Sequence, residues 1–189
     1  MREQAVGLVN KYLKSEPLIK HSYAVEAVMK ALGNKLEPEK SDDWALAGLL
    51  HDLDSDMLDY KNNPEESKLH GIKTIELLKN EGFGNDYIYQ AIKAHNEDNG
   101  TKRISTIDKA IYAADPITGF ITAIALVYPD KKLSSVKVKS ITKRMKELKF
   151  AAGANRDAMR SIEELGIPFA EFAQLSLEAM QGISDELGL

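Results

Sequence analysis

Apolar residues recur along the chain at steps of three and four, the period of an amphipathic helix. Ala5, Leu8, Val9 and Tyr12 mark a first helix that ends at the Ser15–Pro17 break. A second runs from Leu18 with Val25, Val28 and Leu32 on one face. A third, capped by Ser41 or Asp42, carries Trp44, Ala47 and Leu50. The polar stretch from Leu53 to Glu66, which contains Pro64, reads as a loop. Helices are expected again over 66–79 and 85–97, and Ser105 with Asp108 has the spacing of a capping box ahead of Ile107, Ile111 and Ala114. Pro116 is expected to break that helix just after Asp115. The run Phe120–Tyr128 admits a strand, but its helical neighbours favour a buried helix. Further helices are expected over 135–148, 155–165 and 168–187, with turns at Asn99–Gly100 and over 150–155. The pattern implies an all-α fold in a single domain over 1–189, its core over 18–128 and its C-terminal helices over 129–189 packed on that core.

Composition narrows the class. Of 189 residues, 43% are hydrophobic and 29% charged, which excludes a disordered chain, and the lack of cysteine excludes disulfides, thiolate metal sites and a cysteine nucleophile. No run reaches the ~20 apolar residues of a membrane helix. The amphipathic N-terminus has no apolar leader core, so no membrane partner and a cytoplasmic location are expected. The net charge of −4 gives no footprint for a nucleic-acid duplex. Eight Lys and Arg nevertheless fall within 130–149 against Asp130 and Glu147. Such a segment either holds a small anion or is a solvated helix face, the more frequent case.

The chain has four histidines, His21, His51, His70 and His95, each on or beside an expected helix. His21 continues the stripe of Val25, Val28 and Leu32; His51 follows Ala47 by four; His95 follows Ile88 and Ala91. One inward histidine is ordinarily a hydrogen-bonded core residue. Four on successive helices each need a partner, and a shared cation serves all of them. Asp52 directly follows His51, and Asp115, at the end of an apolar helix, needs a cation or a cap. Imidazole and carboxylate without sulfur suit Mn, Fe, Co, Ni, Zn or Mg, and the number of histidines tilts the choice toward a transition metal.

His21, the His51-Asp52 pair within LLHDLD, and Asp115 closing an AAD helix resemble the HD superfamily of metal-dependent phosphohydrolases over about the first two-thirds of the chain. LLHDLD is similar to the HDIG-type signature, with Leu53 and Asp54 in place of its Ile and Gly. The resemblance implies that His21, His51, Asp52 and Asp115 hold one divalent ion. With Asp52 bridging, His70 and His95 would hold a second; otherwise they contact the substrate beside a single ion. It further implies a metal-activated water that attacks phosphorus, with Asp52 at the reacting centre. Asp54, Asp56, Glu97 and Asp98 are the available acids, Asp54 among the catalytic candidates. Missing GYP and adjacent His-His motifs set the chain apart from the cyclic-dinucleotide phosphodiesterase branch, and the text after Asp52 and Asp115 departs from the dinucleoside-tetraphosphate hydrolase branch.

The expected partner is a small phosphorylated molecule, a nucleotide or related metabolite, with Lys73, Lys143 and Arg144 as candidate phosphate contacts. The KFAAGANR stretch at 149–156 is either an anion clamp or, more simply, a loop whose Asn155 caps the next helix. Trp44, Tyr112 and Phe120 are read as core rather than as stacking platforms. Two alternatives share the ligand set: a di-iron oxygenase of the HD type, and a non-catalytic, metal-stabilised nucleotide-binding module. Oligomeric state is not legible.

Overall fold

A computed structural model describes all 189 residues, and every regular element in it is helical. In chain order these are α1 (Arg2–Tyr12), α2 (Glu16–Leu36), α3 (Ser41–Leu50), α4 (Pro64–Ser67), α5 (Ile72–Asn80), α6 (Asp86–His95), α7 (Thr106–Val127), α8 (Val138–Arg144), α9 (Arg156–Arg160), α10 (Phe169–Gln181) and α11 (Ser184–Leu187). Single 3-10 turns cover Pro38–Lys40, Leu133–Ser135 and Ser161–Leu165.

The closest helix pair is α2 with α3, and two glycines allow it. A Cβ on Gly48 would stand 2.7 Å from the Val25 carbonyl oxygen, and one on Gly33 2.9 Å from Ser41 Cα. The two backbones therefore touch without intervening side chains. Trp44 is fully buried beside this contact, and its indole N–H donates to Tyr87 Oη at 3.0 Å. Ser41 is the first helical residue of α3 and does not cap it; Lys40 holds the cap position. The Ser41 hydroxyl instead accepts from Lys30 Nζ, which also pairs with Asp42.

Helix α7 runs through the middle of the molecule. Ser105 and Asp108 form the expected capping box. Pro116 does not end the helix, which continues to Val127. An internal proline costs about 3 kcal/mol. The next turns bury Ile117, Phe120, Ile121 and Ile124 completely, at about 1.5–3 kcal/mol each, so burial outweighs the lost hydrogen bond. By length and apolar character α7 is the one helix able to cross a membrane; its place against α2, α3 and α6 is that of a core helix. Tyr112, Asp115, Pro116 and Gly119, at i, i+3, i+4 and i+7, lie along its one face that opens on a cleft.

Four other expectations change. The helix over 66–79 is broken at His70–Gly71, where Gly71 has φ +82°. Past Pro129 the regular pieces are shorter than the pattern suggests: α8 has seven residues, α9 five before it tightens into a 3-10 turn, and α10 stops at Gln181. α10 packs on α2, α7 and α8 through buried Phe169, Phe172, Leu177 and Met180, and α9 lies against α7.

Candidate metal centre

Each histidine ring is fixed by an acceptor at its Nδ1. His51 and His95 donate to the carbonyls of Gly48 and Ile92, each three residues back on its own helix. His70 donates to Asp54 Oδ1 at 2.7 Å. Thr118 gives its own proton to the Asp115 carbonyl at 2.9 Å, so its hydroxyl accepts from His21 Nδ1 at 3.2 Å. A carbonyl or carboxylate can only accept, which places a proton on Nδ1 and makes Nε2 the nitrogen that can offer a lone pair to a cation. Ligating imidazoles are commonly held in this way.

The four Nε2 atoms converge. Asp52 Oδ1 lies 3.4 Å from that of His51, 3.2 Å from that of His70 and 3.7 Å from that of His95. Asp115 Oδ1 lies 3.0 Å from His21 Nε2 and 3.8 Å from His51 Nε2, and Asp52 Oδ2 is 3.8 Å from His21 Nε2. His70 and His95 Nε2 stand 3.1 Å apart. His21, His51 and Asp52 form one group with the spacing of metal ligands, His51, His95 and Asp115 another, and Asp52, His70 and His95 a third. All six expected ligands thus meet at one point, drawn from α2, the end of α3, the α4–α5 turn, α6 and α7.

Electrostatics mark the same point as a place for positive charge. Burial disfavours charge on His51 and His70. The nearby Asp52, with Asp115 beside His51 and Asp54 beside His70, outweighs burial and raises the two rings to about 9 and about 10. Burial and the charge on His70 and His51 push His95 down to about 4. Asp52 and Asp115 stay ionised against the cost of burial because the imidazoles face them. His51 Nε2 is buried and makes no hydrogen bond, and a cation that displaced its proton would give this nitrogen the partner it lacks. The donor set, four imidazoles and two carboxylates without sulfur, fits borderline or hard divalent ions.

A family model described as HD domain matches residues 18–119, more than half of the chain. The chain belongs to the HD domain family. The HD domain match takes in all six converging residues, and HD domains bind divalent metals in a metal-dependent phosphohydrolase-type fold. Comparison with curated proteins and with solved structures finds no match.

The centre of this HD domain forms the floor of an open cleft of about 760 Å³. Several other expected residues are not at it. Lys73 pairs with Glu76 at 2.7 Å, and Arg144 pairs with Glu147 and lies over the Phe150 ring. Lys143 is exposed on α8, whose buried Ile141 faces inward and turns the basic side to solvent. Asp54 does not face the cleft. It is fully buried, and its Oδ2 accepts the Gly71 and Thr74 amides at 2.8 and 3.1 Å while Oδ1 takes His70. Asp56 accepts the backbone N–H groups of Lys14 and Ser15. Asn155 caps α9, as the simpler reading of 149–156 expects, and with Ala151, Gly153 and Ala154 lines one wall. Trp44 and Phe120 are core, but Tyr112 reaches the cleft, where its hydroxyl donates to Glu97 at 2.7 Å.

Sequence reasoning missed Thr118, the clamp between His21 and Asp115, and Tyr60, whose ring stacks on His70 with centroids 4.2 Å apart. It also missed Gly71: a Cβ there would stand 3.1 Å from the Ile92 carbonyl and 3.2 Å from His95 Cε1. The glycine following His70 is the one available signal for that contact.

Proposed function

We propose that the chain is a metal-dependent phosphohydrolase that cleaves a small phosphate ester, a nucleotide or a related phosphorylated metabolite. The observation that carries this reading is the convergence of four Nδ1-anchored imidazoles on Asp52 and Asp115 at the floor of an open cleft. We assign His21, His51, Asp52 and Asp115 to one divalent ion and Asp52, His70 and His95 to a second. When bound, such ions lower the pKa of water and neutralise charge on phosphoryl oxygens. The net reaction adds water across the phosphorus–oxygen ester bond, giving inorganic phosphate and an alcohol that keeps one proton of the water. Asp54 acts here as a positioning residue: its carboxylate orients His70 through Nδ1 and ties the Gly71 turn beneath it. The leaving oxygen needs a proton at the cleft, where the remaining carboxyl groups are Glu97 and Asp98.

The test combines elemental analysis of untagged protein with a phosphate-release assay. The expected result is one to two first-row ions per chain, phosphate release that chelation stops, and loss of both ions and turnover in His51→Ala and Asp52→Ala. Full turnover in either variant, or in exhaustively chelated protein, ends the proposal. Oxygen uptake without phosphate release would instead establish the di-iron alternative, and ion binding with neither activity the binding module.

A further inference from the structure

The charge around the cleft restricts what can enter it. Lys61 is its one lining lysine or arginine; it pairs with no carboxylate and lies 5.7 Å from the Tyr60 ring centroid. The acidic lining is Asp52, Glu97, Asp98 and Asp115. The neighbouring arginines are spent on the fold. Arg156 donates to the backbone carbonyls of Glu147, Phe150, Ala151 and Ala154. Arg103 donates to the Ala94 carbonyl at 3.0 Å and lies 3.4 Å over the Tyr112 ring, and Arg144 is held by Glu147 and Phe150.

Sites that grip a chain of phosphates present arginine forks or lysines to each phosphoryl group. This cleft has none to present beyond Lys61 and the ions its histidine–aspartate centre would hold. Its lining offers acceptors instead: the exposed carboxylates of Glu97 and Asp98. Glu97 is held in place by Tyr112 and Asn155, and Asp98 by Ser67, so both are aimed by fixed partners.

Resting on the hydrolase reading above, we propose that the substrate is a monoester with a single phosphoryl group, and that its alcohol carries hydroxyl or amino donors that meet Glu97 and Asp98. Each additional phosphoryl group would place negative charge against these carboxylates with no cation to answer it.

The experiment measures kcat/KM for adenosine 5′-monophosphate, adenosine 5′-triphosphate, glycerol phosphate and bis(p-nitrophenyl) phosphate on the manganese-loaded full chain and on Glu97→Lys. Calorimetric titration with the monophosphate and with a β,γ-methylene triphosphate adds a readout independent of turnover. Monoesters are expected to exceed the triphosphate by about tenfold or more, and Glu97→Lys to raise the triphosphate-to-monophosphate ratio about tenfold in both measurements. Retained ion content and circular dichroism show that the variant is folded. A triphosphate or diester that equals the monoesters in the parent chain overturns the proposal, as does a ratio unmoved by Glu97→Lys. Ion-loaded protein that hydrolyses none of the four defeats the hydrolase reading itself, a separate failure.

Discussion

At the scale of single residues, the centre depends as much on what anchors the imidazoles as on the ligands. Thr118 is fully buried and makes one hydroxyl serve two of the converging residues, His21 through its ring and Asp115 through its carbonyl. Thr118→Val keeps the shape and removes the hydroxyl. It is expected to weaken cation affinity about 10–100-fold, while Thr118→Ser restores it; equilibrium dialysis against manganese or zinc reads both. The six converging residues were legible as candidates because four histidines and a His-Asp pair are rare enough to stand out on apolar stripes. Their anchors were not. Asp54 looks in sequence like any acid of a polar loop, and only the fold shows that its two oxygens are filled by His70, Gly71 and Thr74.

At the scale of elements, the site inherits its dimensions from the α2–α3 contact. Gly48 sits where the two backbones meet, and its carbonyl is also the acceptor for His51 Nδ1. Gly48→Ala would drive a methyl group into the Val25 carbonyl and push α3 away from α2. Overpacking of this kind costs about 1–3 kcal/mol, and the shift separates His51 from His21. The expected outcome is a lower thermal midpoint together with reduced ion stoichiometry, read by calorimetry and elemental analysis. An unchanged midpoint would show that the helices slide freely at this point. Helix type and order were readable from period and capping, most clearly in the Ser105–Asp108 box. Boundaries that depend on tertiary burial were not. Pro116 is a local stop signal overruled by the core around it, and the break at Gly71 is held by a hydrogen bond to Asp54 from another segment. The basic stretch is the solvated helix face expected as its more frequent form, because a seven-residue α8 is oriented by the one residue it buries, Ile141.

For the whole molecule, the ion centre is a joint between parts distant in sequence. Its residues extend from His21 to Asp115 and come from five separate segments of the chain. A cation that binds only this arrangement stabilises it by mass action, about 2.7 kcal/mol when present at a hundred times its dissociation constant. Chelation is therefore expected to lower the thermal midpoint, and restoring manganese to recover it. The His51→Ala variant should show no such response in differential scanning calorimetry. A midpoint indifferent to chelator in the parent chain would mean that the six side chains hold no ion under those conditions. The exposed lysines on α8 contribute nothing to this linkage.

The break at His70–Gly71 has a kinetic consequence. His70 sits between the four-residue α4 and the nine-residue α5, and α5 packs chiefly against α6, whereas His21, His51 and Asp115 belong to the tightly enclosed α2, α3 and α7. Segments with few buried neighbours open at a small fraction of the free energy of global unfolding. The amides of 70–80 are thus expected to exchange hydrogen ahead of those of α2, α3 and α7, so that the centre behaves as a latch with a single hinged side.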